Sequence, residues 1–154
     1  MARASAPRQR ATAVVSRDDL GFLLAKAMQR WNELLAARFA AAGYDDIRPS
    51  FGSVLLPLYE EDGLRMGELA MRARLSKQTM TDMIRRLERD GLVERRSDPT
   101  DARASLIFLT ARSRRFRPVA GNSLRELDRL VRSRLSADSV TELKRTLRQL
   151  MELE

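Results

Sequence analysis

Apolar residues recur at helical spacing through this chain except in one window, residues 92–110, and that exception sets the fold. Leu92-Val93-Glu94-Arg95-Arg96 and residues 104–110, centred on Leu106-Ile107-Phe108-Leu109, read as two strands. Between them Ser97-Asp98-Pro99-Thr100-Asp101 has turn chemistry throughout. The window is therefore a β-hairpin around a polar, basic loop. Just before it stand a short helix over residues 67–74 and an amphipathic helix capped by Ser76 and ended by Asp90-Gly91. Met80, Met83, Ile84 and Leu87 form the expected buried face of the second helix.

The flanks are helical. Ser16 reads as an N-cap, followed by Asp18 and Asp19 in a first turn. Leu20, Leu23, Leu24, Ala27, Met28, Trp31, Leu34, Leu35 and Phe39 continue as one long stripe that ends before Gly43. Pro49-Ser50 opens a helix that Gly63 closes, and Pro57 should kink it or shift its start. Residues 112–134 form a further helix with bends at Pro118 and Gly121, and Ser136 caps the last one. The expected class is mainly α with a small β-hairpin. No repeat and no glycine-rich phosphate loop is present.

Composition narrows the function. The 154 residues suit one sizeable core, and no apolar run approaches the roughly 18–20 residues that cross a bilayer. Residues 1–16 carry Arg3, Arg8 and Arg10 without the apolar centre of a signal peptide, so a disordered basic tail and a cytoplasmic protein are expected. There is no cysteine and no histidine, which removes disulfides, thiolate chemistry, the commonest metal ligand and the usual general base. A binding protein without cofactor or metal is expected rather than an enzyme. The net charge is +8, and residues 65–117 hold 14 Lys/Arg against 7 Asp/Glu, nearly the whole excess. Such a field calls for a polyanion. Aromatics are only 5%, too few for the stacking surface of a single-strand binder.

A helix-turn-helix needs a short helix, a tight turn and a second helix with one buried face and hydrogen-bonding groups on the other. Leu69 and Ala70 can face the core and Leu75 fills the turn. The second helix leaves Lys77, Gln78, Thr79, Thr81, Asp82, Arg85 and Arg86 outside, with Ser76 at a terminus that favours a phosphate. Gln can pair with adenine and Thr can touch a thymine methyl. Arg95, Arg96 and Arg103 are expected around the hairpin tip, where an Arg can enter a minor groove. Asp101 is expected to hold Arg103 in a bidentate pair. The bland alternatives are a solvated surface helix and an exposed ion pair worth under about 1 kcal/mol. The hairpin and the local charge weigh against them.

These residues resemble the MarR family of multiple-antibiotic-resistance regulators. The resemblance is carried by Gly67-Glu68-Leu69-Ala70, Leu75-Ser76-Lys77-Gln78-Thr79-Met80-Thr81, Leu87-Glu88-Arg89-Asp90-Gly91-Leu92-Val93-Glu94-Arg95 and the wing from Asp98 through Asp101-Ala102-Arg103-Ala104 to Leu109-Thr110. It implies a winged helix-turn-helix lobe over residues 49–110 and dimerisation helices over residues 17–47 and 112–154. It also implies a homodimer on a symmetric double-stranded DNA site, with repression relieved by a small anionic or aromatic effector. The wing arginine maps to Arg103 and its acid to Asp101. An effector pocket would involve Trp31, Phe51 and Tyr59, with Arg48 or an arginine of the fifth helix holding the anion, although core packing competes for the aromatics. Two features depart from the pattern: Ala111-Arg112-Ser113 stands where a glycine often follows the wing, and Pro57 lies in the second helix. A general nucleic-acid binder and a winged-helix protein-interaction module remain alternatives.

Overall fold

A computed structural model of the chain describes residues 15–153. The expected basic tail therefore lies, apart from Val15 and Ser16, outside the described residues. The described residues divide into two compact units, with the boundary after Trp31.

In the first unit the long helix α1 (Leu20–Ala41) begins. It starts at Leu20 rather than directly after Ser16. Residues 16–19 form a turn of their own, in which Ser16 Oγ accepts the Asp18 N–H and Asp19 Oδ2 accepts the Ser16 N–H. Leu20, Phe22, Leu23 and Met28 are exposed.

In the second unit α1 ends at Ala41, and Gly43 takes the left-handed conformation that stops helices, at φ +85°. Pro49–Phe51 is a 3-10 turn and α2 is Gly52–Glu60. Pro57 sits inside α2 without ending it, and the α-helix starts after the turn that Pro49 opens. Gly63 lies beyond α2 and turns the chain into β1 (Leu64–Arg65), a strand that the sequence pattern does not reveal. Next come α3 (Met66–Arg72), α4 (Lys77–Arg89), β2 (Val93–Asp98) and β3 (Asp101–Leu109). The strands form an antiparallel sheet in the order β1-β3-β2, so the hairpin carries a third strand. Two helices complete the unit, α5 (Ala111–Leu135) and α6 (Ala137–Met151). α5 runs through Pro118 and Gly121 as one helix.

The core of this unit lies where α2, α3 and α4 meet the sheet. Val54, Leu69, Met80, Ile84, Leu87, Leu92 and Ile107 are fully buried. Met83, expected with them, is only half-buried. Polar ties close the edges. Asp62 Oδ1 accepts the Leu109 N–H at 2.8 Å and the Gly63 N–H at 3.1 Å, while its Oδ2 takes Arg114 at 2.6 Å. Thr110 is not strand but the N-cap of α5. Its Oγ1 accepts the Ser113 N–H and donates to the Gly91 carbonyl at 2.7 Å. The joint therefore needs no glycine after the wing: a threonine cap starts the helix directly. Buried Ser113 donates its hydroxyl to the Leu92 carbonyl, and Tyr59 donates to the Ser113 carbonyl at 3.0 Å.

Gly63 is the tightest position. Its φ is +75°, and a Cβ there would lie 2.7 Å from the Phe108 ring. Gly63→Ala should cost about 2 kcal/mol, from backbone strain plus a forced shift of the ring. Gly67, inside α3, has nothing within 4 Å of its notional Cβ. Gly67→Ala should leave stability unchanged or raise it by up to about 1 kcal/mol. Urea denaturation of both variants checks the contrast, and equal midpoints would refute it.

Candidate nucleic-acid interface

The helix-turn-helix is built from its turn outward. Leu69 and Ala70 are buried, and the Leu75 N–H donates to the Ala70 carbonyl at 2.9 Å, closing α3. Arg74 takes a left-handed conformation at φ +53°, which costs a non-glycine residue energy. Its guanidinium donates to the Met151 carbonyl at the end of α6, 2.8 Å away. Ser76 then caps α4 as expected: its Oγ accepts the Thr79 N–H at 3.1 Å.

With Met80, Ile84 and Leu87 buried, α4 turns Lys77, Gln78, Thr79, Asp82, Arg85 and Arg86 outward. Thr81 is half-buried, and its hydroxyl donates to the Lys77 carbonyl at 2.9 Å, so that hydroxyl is already engaged with the backbone. Gln78 Nε2 donates to both carboxylate oxygens of Asp82, at 3.2 and 3.3 Å. Arg85 pairs with the same carboxylate at 3.5 Å. Thr79, Asp82, Met83 and Arg86 line a shallow cavity of about 180 Å³ on this face.

The wing differs from expectation in three ways. The turn is only Pro99-Thr100, because pairing extends to Asp98 opposite Asp101. Arg95 and Arg96 therefore stand opposite Ile107 and Leu106, down the strand from the tip. Both are engaged: Arg95 pairs with Glu88 of α4 at 2.9 Å, while Arg96 pairs with Glu94 and lies over the Phe108 ring, 4.3 Å from its centroid. Finally, Asp101 does not hold the Arg103 guanidinium. Its Oδ1 accepts the Arg103 backbone N–H at 3.0 Å, the local bond a short carboxylate makes most readily two residues on.

Arg103 sits in a register shift. Ser97 pairs with Ser105 and Asp98 with Asp101, leaving Ala102-Arg103-Ala104 without partners on β2. Such bulges re-aim side chains. Arg103 is exposed, and its guanidinium has no hydrogen bond or ion pair among the described residues.

The group that shapes the tip is Asp98, which the sequence marks only by its turn chemistry and as the start of the wing motif. It is 6% exposed. Its carboxylate accepts the Thr100 N–H at 2.8 Å, the Thr100 hydroxyl at 2.7 Å and the Arg65 guanidinium at 2.5 and 2.8 Å. Arg65 is both the second residue of β1 and the N-cap of α3, so one ion pair ties the wing tip to the start of the helix-turn-helix.

The expected effector residues differ in burial, and one of them lies in the other unit. Phe51 is buried and Arg48 is exposed, while Trp31 belongs to the first unit. Tyr59 instead lines a cavity of about 460 Å³ with Leu56, Arg117, Gly121, Leu124 and Arg125, between α2 and α5. The Arg117 guanidinium lies 5.3 Å from the Tyr59 ring centroid. Burial pushes the Tyr59 hydroxyl up to about 12, with Arg117 opposing, so it stays a proton donor at neutral pH.

Thr100 hydrogen bonds, with Arg65 adding its charge, hold the Asp98 carboxyl below the ordinary carboxylate range. A folded value below the unfolded one gives stability that is present above the unfolded value and is lost as pH falls through the folded one. An NMR titration of the Asp98 carboxyl should show a midpoint below the usual ~3.9. Asp98→Ala should speed hydrogen exchange at the Thr100 amide while leaving that of Ile84 slow. Unchanged exchange at Thr100 would remove Asp98 from the wing's support.

Comparison with known proteins agrees with this geometry. Residues 49–105 match the model of the MarR family. The chain is 36% identical over 93 residues to an HTH-type transcriptional repressor, Mb2911 of Mycobacterium bovis, a match that spans 60% of this chain and 67% of that protein. It is 44% identical over 61 residues to the HTH-type transcriptional regulator TtmR of Methylorubrum extorquens, covering 40% of this chain and only 31% of TtmR. The transcriptional repressor CouR, solved bound to a 23-mer DNA duplex, superposes with a TM-score of 0.74 at 25% identity, over 91% of this chain and 100% of that one.

Proposed function

This chain belongs to the MarR family, and we propose that it is a sequence-specific regulator of transcription that binds double-stranded DNA as a homodimer. The observation that carries the proposal is the pairing of two cationic elements on one scaffold. One is the outward face of α4, and the other is an unpaired Arg103 on a bulged wing braced to α3. α4 enters a major groove through Ser76, Lys77, Gln78, Thr79, Thr81, Arg85 and Arg86. Arg103 enters the adjacent minor groove, where negative potential is deepest. Asp101 fixes the backbone that carries it. Arg95 and Arg96, each already paired with a glutamate, stiffen the wing. The duplex in the CouR structure supports this reading.

Residues 17–47 and 112–154 supply the dimer contacts and residues 49–110 the DNA-binding lobe. Support for a second copy comes from exposed apolar residues on the first and last helices: Leu20, Leu23 and Met28, and separately Leu143 and Met151. A two-fold dimer reads a pseudo-palindrome with half-sites about 10 base pairs apart. The repressor relative favours repression as the outcome. The cavity beside Tyr59, rimmed by Arg117 and Arg125, is the effector site, and suits a small aromatic anion. The chain's role is binding, not catalysis. No helix of the described residues is long and apolar enough to cross a membrane.

Gel-shift titration of a selected duplex tests the reading. Arg103→Ala should weaken binding about tenfold or more with an unchanged melting temperature. Affinity should fall steeply between 50 and 200 mM salt, roughly a thousandfold for six or more phosphate contacts. Scattering should report a dimer. A monomer, or equal affinity for random duplex and RNA, would overturn the proposal in favour of a general nucleic-acid binder. No duplex binding at low salt would point to a protein-interaction module.

A further inference from the structure

Asp82 is out of place on a cationic reading face. It lies mid-way along the exposed stripe of α4, one turn from Gln78 and nearly one turn from Arg85, and both are drawn to it. The other acid of α4, Glu88, is taken up by Arg95 of the wing. Among the described residues Asp82 has no such structural partner off its own helix, and its side chain is half exposed. A carboxylate at the centre of this face repels phosphates and every base edge that offers only acceptors. Guanine presents N7 and O6, thymine presents O4, and adenine places N7 beside its amino group. Cytosine alone presents an amino donor with no acceptor beside it in the major groove. Gln78 gives its amide nitrogen to Asp82, leaving its carbonyl oxygen as a second acceptor. Arg85, held beside the carboxylate, supplies the donor fork that guanine accepts.

We propose that Asp82 is a specificity-determining residue: with Arg85 it forms an acceptor–donor couple that selects a C·G pair in each half-site. This rests on the DNA-binding reading above. The carboxylate takes the cytosine N4 amino group and the guanidinium takes O6 and N7 of the paired guanine. Asp82 also acts by rejection, lowering affinity for sequences that put an acceptor opposite it.

Selection of bound sequences from random duplexes, run on the full chain, on Asp82→Asn and on Asp82→Ala, tests the assignment. The parent should require C·G at one position per half-site. Asp82→Asn should shift that position toward adenine, which an asparagine side chain pairs bidentately. Asp82→Ala should leave it degenerate. Both variants should bind random duplex about tenfold more tightly than the parent, since a repulsive charge is gone. Circular dichroism and melting should match the parent, because no core contact is touched. A clear parental sequence that both variants share overturns the role of Asp82 while leaving the regulator reading intact. A parent with no preferred sequence overturns both.

Discussion

Everything that the reading face does depends on the other side of the same helix. Met80, Ile84 and Leu87 are each fully buried, and each contributes roughly 1.5–3 kcal/mol on removal from water. An exposed ion pair contributes under about 1 kcal/mol. Packing therefore decides the rotation of α4, and the contacts among Gln78, Asp82 and Arg85 only adjust side chains on a face already chosen. At 3.6 residues per turn, burying positions 80, 84 and 87 leaves 78, 82 and 85 no option but solvent. A regulator of this kind reads bases with residues whose direction is dictated by residues that never meet DNA.

The wing is held differently. Its outer half is exposed, so little apolar burial is on offer there. Polar ties take over: Asp62 holds the end of β3 to the turn after α2, and Asp98 gathers Thr100 and Arg65 at the tip. Both acids accept several donors at once, which makes them effective braces.

Local signals in the sequence were good guides where the structure is local. Ser76 caps α4, the apolar stripe sets the buried face, and the helical and hairpin segments appear in the expected order. What stayed hidden depends on partners distant in sequence. β1 is two residues long, too short for any periodicity, and exists because Leu64 and Arg65 meet Ile107 and Leu106. The tip register could not be read because Asp98 is stabilised by Arg65, 33 residues away. The same lack of long-range information placed Arg95 and Arg96 at the tip and gave Asp101 a guanidinium instead of an amide. Of the expected effector residues Tyr59 lines the cavity between α2 and α5, and Arg117 and Arg125 of the fifth helix line it too.

Arg74 ties the bend between α3 and α4 to the end of α6 in an asymmetric way. The bend between α3 and α4 is held in a conformation that arginine does not favour, and the acceptor facing its guanidinium is a backbone oxygen in the final turn of α6. The elbow is thus buttressed from outside its own lobe. Unwinding that last turn would withdraw the oxygen and leave the elbow to bear its strain unaided, so the final turn of α6 and the pivot of the reading head are coupled.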